Sequence, residues 1–332
     1  MRAVYVTDTH FRGVNPRGRR DDYREALITK FRWVVNYATA RHIKLILHGG
    51  DWFDRWDADH GVVRDVQDIL MPYIRSGGRV ISTHGSHDLQ GYNDITLRRS
   101  AIGALEGSGM ATILKRGEFV VMDNVAIVSV PHSAGLDGGP GYYYIGEKDH
   151  FYRSQYARTI LLAHGTLVDT PKPDGFDFTL ISEARVNADL VLSGDYHPGY
   201  ATYVRAADGV VFANPGSLAR NTATANNRVR TPSILDIDII DGAPVGVTRV
   251  PILCAADGAD VFTDVVPTDP PDDGGIRDLV AYMRSQSAES DQFDPIDLIN
   301  RLPATNFSAE DQEFLEEARS WTVITLQRTA RT

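Results

Sequence analysis

The chain has 332 residues, 42% of them apolar and 23% charged, which supports a sizeable core and excludes wholesale disorder. One cysteine, Cys254, excludes an intramolecular disulfide and any cysteine-cluster zinc site, and it fits a reducing, cytoplasmic setting. The net charge of -10, from 34 basic and 44 acidic side chains, argues against gripping nucleic acid with the whole surface. Such contact needs a local basic patch, or cations held among carboxylates.

The first ten residues, MRAVYVTDTH, carry no charged-then-apolar leader, so no signal peptide is expected. Residues 2–7 read as a short buried strand. Leu27, Phe31, Val34, Val35 and Ala38 then recur at helical spacing, which predicts a helix over about 21–41. A second strand is expected at Lys44 to Leu47, a helix at 60–75 and a third strand at Arg79 to Ser82. This alternation implies a parallel sheet with crossover helices, whose functional groups gather at the carboxyl ends of the strands. Six further strands are expected, at 119–122, 125–130, 159–162, 190–192, 210–212 and 233–239. A second sheet packed on the first would absorb them. Residues 133–148, rich in Gly and Tyr, read as a long loop of a length usually reserved for function. The longest apolar runs, such as Ile160 to Ala163, are too short for a bilayer, so no membrane contact is expected. The domain ends at 254. An acidic linker of Asp, Pro and Gly is expected at 255–275, and a helical extension at 276–332 with helices at 276–287 and 308–321.

Each strand end releases residues of metal-binding type. The series is Asp8-Thr9-His10, Gly50-Asp51 with Asp54 three residues on, Gly85-Ser86-His87-Asp88, His164-Gly165, and Asp195-Tyr196-His197. Alternate residues of an extended chain point the same way, so Asp8 with His10, and Asp195 with His197, can face one ion. Carboxylates and imidazoles without sulfur suit manganese, iron, zinc or magnesium. His42, His48, His60, His84, His132 and His150 are assigned structural roles, with His48 and His84 near the site.

This series resembles the calcineurin-like metallophosphoesterases, whose pattern is DxH, GD, GNHD, H and GHxH. Within them it looks most like the SbcD-type nucleases of double-strand-break repair and phage recombination. The pointers are GGDWFD at 49–54, the Arg-Arg-Asp-Asp segment at 19–22 and NPGSLAR at 214–220. The resemblance implies an α/β fold of two packed mixed sheets flanked by helices. It implies two divalent ions bridged by Asp51, one held by Asp8, His10 and His197, the other by His164 and the positions of Ser86 and Asp195. Ser86 stands where the family has Asn, and Asp195 where it has His. A harder, more anionic second site favours manganese, with magnesium the alternative, over zinc. The resemblance makes His87 the acid at the leaving group, its ring held by Asp88, while the ions clamp the phosphate and lower the pKa of a water.

Arg12, Arg17, Arg19 and Arg20, with Arg98 and Arg99, are the candidates for DNA phosphate contacts; each is otherwise a solvated loop residue. The Tyr142-Tyr143-Tyr144 run either stacks on unpaired bases or packs its loop. The chain has no P-loop, since Gly141 to Lys148 lacks the closing Lys-Ser/Thr. The resemblance implies a separate SbcC-like ATPase with a coiled coil. Leu279 and Met283, or Phe293, Ile296 and Ile299, are expected to form its docking face in the extension, unless these helices pack on their own domain. A homodimer stays open. The expected function is a metal-dependent DNA exo- or endonuclease subunit in the cytoplasm, the host's if the chain is phage-encoded. The alternatives are a small-molecule phosphodiesterase, a phosphoprotein phosphatase, or a catalytically impaired scaffold.

Overall fold

The computed structural model describes residues 1–263, apart from 17, 147–149, 173–176 and 241. Its strands in chain order are β1 (Arg2–Val6), β2 (Leu45–His48), β3 (Arg79–Ser82), β4 (Thr112–Ile113), β5 (Phe119–Met122), β6 (Val125–Val130) and β7 (Arg158–Gly165). They continue with β8 (Leu167–Val168), β9 (Thr179–Leu180), β10 (Leu190–Asp195), β11 (Tyr200–Val204), β12 (Val211–Asn214), β13 (Ser233–Asp238) and β14 (Gly246–Pro251). The helices are α1 (Tyr23–Ala40), α2 (His60–Arg75), α3 (Ala101–Gly107), α4 (Ala225–Val229) and α5 (Gly258–Val261).

Two six-stranded mixed sheets form the body. One runs β14-β13-β1-β2-β3-β4, the other β11-β12-β10-β7-β6-β5. β1, β2, β3 and β4 are parallel, as are β6, β7, β10 and β12, so the carboxyl ends of each set share an edge. The central strands are buried on both faces, and that is why they read as unbroken apolar runs. Alternation divides them: Ala3 and Tyr5 of β1 enter the layer between the sheets, with Ile160 and Leu162 of β7 and Leu190 and Leu192 of β10. Val4 and Val6 face outward onto α1 and α2.

Helix α1 starts at Asp22, whose carboxylate accepts from Glu25 N at 3.0 Å, and it buries Leu27, Phe31, Val34, Val35 and Ala38 on one face. Truncating Leu27 or Phe31 to Ala would cost about 2–5 kcal/mol.

Part of the linker expected at 255–275 is instead packed on the body. Phe262 is fully buried beneath the Arg19 guanidinium, and Thr263 N donates to Gly18 O at 2.9 Å. The apolar pair Val261 and Phe262 overrides the acidic composition around it. The remainder of that segment and the extension at 276–332 lie outside the described residues. Among the described residues no helix is long and apolar enough to cross a membrane.

Candidate metal centre

The loops leaving β1, β2, β3, β7 and β10 converge at one edge of the sandwich. The first two are zipped together: Asp8 N donates to Gly50 O at 3.1 Å and His10 N to Asp51 O at 3.0 Å. The 214–220 segment closes over them, with Ala219 N on Asp8 O at 3.2 Å and Ser217 N on His197 O at 3.0 Å. Asp8, His10, Asp51 and Asp195 all have positive φ, between 42° and 78°. Such backbone costs on the order of 1–3 kcal/mol per residue and is concentrated at functional sites. Two glycines make the convergence feasible. A Cβ on Gly50 would strike His164 Nδ1, and one on Gly85 would strike the Asp51 carboxylate.

Three overlapping groups have their ligating atoms within 4.8 Å of one another: Asp8, His10 and His197; Asp8, Asp51 and His164; and His10, Asp51 and His87. His10 Nε2 and His197 Nε2 face each other at 3.0 Å, and Asp8 Oδ1 lies 3.7 Å from the latter. Burial holds the His10 pKa well below its ordinary value, so its ring is neutral, the form that ligates. The Thr7 hydroxyl and the Asp195 N–H both donate to the Asp8 carboxylate, at 2.7 Å and 3.1 Å.

On the other side His164 donates from Nδ1 to Gly49 O at 2.6 Å. That fixes the ring and turns Nε2 inward, 3.4 Å from Asp51 Oδ2 and 3.7 Å from Asp195 Oδ1, buried and without a hydrogen bond. Burial lowers the His164 pKa, but the carboxylates of Asp51, Asp8 and Asp195 outweigh it and raise it well above its ordinary value. Asp8 is pushed up to about 7, first by burial and then by the Asp51 charge. Buried carboxylates with no Lys or Arg paired to them among the described residues, beside an imidazole nitrogen without a hydrogen bond, are the charge pattern that divalent cations satisfy. The residues therefore fit a two-cation centre: Asp8, His10 and His197 would hold one ion, Asp51 and His164 the other, with Asp51 between them.

Comparison with known proteins gives the family. The family model described as calcineurin-like phosphoesterase matches residues 1–199. The chain belongs to the calcineurin-like phosphoesterase family. It is also similar to the DNA double-strand break repair protein Mre11 of Methanosarcina mazei, at 24% identity over 258 residues. That match takes in 75% of this chain but only 38% of the relative's length. Among solved structures, TT1561 of Thermus thermophilus aligns at 12% identity with a TM-score of 0.44, over 76% of this chain and 98% of that one. A dimetal phosphatase from Danio rerio aligns at 10% identity with a TM-score of 0.46, over 76% and 99%.

Of the two residues where this phosphoesterase departs from the family pattern, Ser86 donates weakly to Asp51 Oδ2 at 3.5 Å. Asp195 is 27% exposed and its Oδ2 accepts from the Thr166 hydroxyl at 2.6 Å. His87 reaches the centre, its ring 4.9 Å from that of His10, but Asp88 does not hold it. The Asp88 carboxylate instead accepts from the backbone N–H groups of Asp51, Trp52 and Gly85, at 2.8, 3.0 and 2.8 Å. Its place at the base of the loop points it at three orphan donors, away from the neighbouring ring. The Asp54 carbonyl takes that role, accepting from His87 Nδ1 at 2.7 Å and leaving Nε2 for the centre. Burial lowers the His87 pKa, yet the Asp51 charge and the Asp54 carbonyl prevail and raise it.

The arginines separate. Arg19 is not available to DNA: its side chain is 1% exposed, is paired with Asp21 at 2.7 Å, and donates to Arg220 O at 2.8 Å. Its neighbours Tyr23 and Phe262 bury it by stacking on the guanidinium. Arg20 donates to the carbonyls of Asp260 and Ala259. Arg12 lies closest to the chemistry, paired with Asp54 at 3.0 Å. Arg98 and Arg99 are exposed at the end of a short turn, and Arg17 lies outside the described residues.

The sequence reading missed Thr7 and Thr166, which orient two carboxylates, and it did not place His132 near the site. That ring lies 6.3 Å from the His164 ring, with a buried Nδ1 that has no hydrogen-bond partner. The only signal in the chain was adjacency, with Thr7 before Asp8 and Thr166 two residues after His164.

Proposed function

We propose that this phosphoesterase is a DNA nuclease of the SbcD and Mre11 kind, using two manganese ions, with magnesium as the alternative. What carries the reading is the convergence of Asp8, His10, Asp51, His164 and His197 on one edge, in a chain similar to Mre11. When bound, two divalent ions would neutralise charge on the phosphate and lower the pKa of a water. The protein's own groups do the rest. Asp51 sets the separation of the two halves, and Thr7 and Thr166 keep the Asp8 and Asp195 carboxylates turned toward them. His87 has its Nδ1 proton committed to the Asp54 carbonyl, so acid catalysis would use a proton on Nε2. The raised pKa of the ring favours that doubly protonated form. Arg12, close to His87 through Asp54, and the exposed Arg98 and Arg99 would position the DNA backbone without reading bases. Docking on an SbcC-like ATPase through the 276–332 segment is proposed from the sequence pattern alone.

The test is digestion of linear plasmid, single-stranded and double-stranded oligonucleotides, and an aryl phosphodiester, with manganese, magnesium or chelator. DNA cleavage that needs the metal is expected. Turnover of the aryl diester alone would replace the nuclease by a small-molecule phosphodiesterase, and full activity in excess chelator would overturn the metal chemistry.

A further inference from the structure

The tyrosine run at 142–144 is split by the fold. Tyr143 is fully buried, whereas Tyr142 and Tyr144 are 54% and 39% exposed. The two exposed rings line a cavity of about 350 Å³ together with Arg116, Arg185, Gly139 and Gly141. Its volume falls in the range of small-molecule sites, roughly 300–1,000 Å³. Both arginines are exposed, and among the described residues neither is paired with a carboxylate. Arg116 donates to Tyr142 O at 2.7 Å, which pins the run, and the Arg185 guanidinium lies 5.8 Å from the Tyr144 ring centre. In a chain of net charge -10, a pair of guanidiniums without a carboxylate partner among the described residues, beside two exposed aromatic faces, is a distinct feature.

The cavity is also coupled to the metal centre. The Tyr143 hydroxyl donates to Asp137 Oδ1 at 2.6 Å, and Asp137 Oδ2 accepts from Thr166 N at 2.9 Å. Thr166 in turn donates to Asp195 at 2.6 Å. Tyr143 packs so closely on Gly165, the residue after His164, that a Cβ there would strike its hydroxyl. The buried tyrosine thus anchors its two exposed neighbours to the wall of the centre.

Resting on the nuclease reading above, we infer that this cavity binds an unpaired nucleotide of the DNA strand beside the metal centre. Tyr142 and Tyr144 offer faces for a base, and Arg116 and Arg185 hold a phosphate. A paired base has both faces covered by its stack, so the site selects single strands or frayed ends. Stacking of this kind is sequence-tolerant.

The experiment measures anisotropy of a labelled oligothymidylate and of a blunt duplex, in chelator so that nothing is cut. The proteins are the full chain, Tyr142→Ala with Tyr144→Ala, Tyr144→Phe, and Arg185→Ala. The double alanine variant is expected to bind the single strand about tenfold or more weakly, with unchanged blunt-duplex affinity and melting temperature. Tyr144→Phe is expected to bind as the parent does, because stacking needs the ring and not the hydroxyl. Arg185→Ala is expected to weaken binding and to lower the salt slope by about one. If the parent binds and cleaves DNA while the double variant holds the single strand equally well, the cavity assignment is overturned and the nuclease reading stands. If the parent neither binds nor cleaves any oligonucleotide, the nuclease reading falls and takes the cavity with it.

Discussion

The two halves of the metal centre are built to different standards. In the Asp8, His10 and His197 half, the first two residues are almost fully buried and His197 is 38% exposed, the two imidazole nitrogens converge at 3.0 Å, and two donors fix Asp8. In the other half Asp51 and His164 are equally buried, but Asp195 is 27% exposed and Ser86 makes only a 3.5 Å contact. Two donors on the Asp8 carboxylate pre-organise the first half. In the second, His164 is fixed on Gly49 O, but the Asp195 carboxylate is held by one threonine. A pre-organised site loses less freedom on binding, so the first half should fill at lower metal concentration than the second.

The largest effect is expected where the halves share a residue. Asp51→Asn should remove tight binding of both ions in calorimetry and bring cleavage down to the level seen in chelator. Retention of one tight ion would show that Asp51 belongs to a single half. Next comes His87→Ala, expected to slow cleavage by roughly 10²–10⁴-fold while both ions stay bound. Loss of an ion would make His87 a ligand, which its place beside His10 and Asp51 permits.

The same contrast marks how far the sequence could be read. The strand ends and the metal-binding residue types gathered at them were legible because buried parallel strands are apolar runs, and what breaks each run is Asp, His or Gly. β4, with two residues, and β11 and β14, largely exposed edge strands, leave no such run and were not anticipated. Asp88 lies next to His87 in the chain, but the β3 loop aims it at backbone donors, and sequence spacing carries no side-chain direction. Arg19 and Arg12 are equivalent in composition; only packing against Tyr23 and Phe262 makes one structural.

Two smaller effects sharpen the comparison. Asp195→Asn should weaken the second ion by at least about tenfold and leave the first in place, since a charged oxygen is exchanged for a neutral one. Asp195→His with Ser86→Asn should restore the family's ligand set and broaden metal tolerance. Two ions bound as tightly by Asp195→Asn as by the parent would remove Asp195 from the centre. Thr166→Val and Thr7→Val then delete the supporting hydroxyls one half at a time. Loss of a group that orients a ligand costs roughly 10–100-fold in affinity. The larger loss is expected for Thr166→Val, because Asp8 keeps the Asp195 N–H as a second donor.

The smallest expected effect is on stability and needs no substrate. In the metal-free protein, burial and the Asp51 charge raise Asp8 from 3.8 to about 7, and surrounding carboxylates raise His164 well above its ordinary value. Both groups bind protons more tightly folded than unfolded. Their contribution is therefore complete below their unfolded pKa values and is lost as pH rises through the folded ones. Asp51, held well below its ordinary value by the imidazoles of His164, His87 and His10 against the opposing effect of burial, works in the reverse sense. It acts only at acid pH, below the carboxylate's unfolded value. Below about pH 6.5 the depressed rings of His10, His48, His132 and His197 work against this, being protonated unfolded and neutral folded. Above that value they are neutral in both states, so from about pH 6.5 upward the melting temperature of the metal-free protein should fall by a few degrees as pH rises. A saturating divalent cation should abolish that slope, because the ion takes over the role of the protons and favours ionised Asp8 and neutral His164. Thr166→Val should need more metal to flatten the slope than Thr7→Val, in keeping with a weaker second half. A melting temperature that rises over the same interval without metal would mean that Asp8 and His164 find their counter-charges elsewhere, and the division of the centre into two cation sites would have to be redrawn.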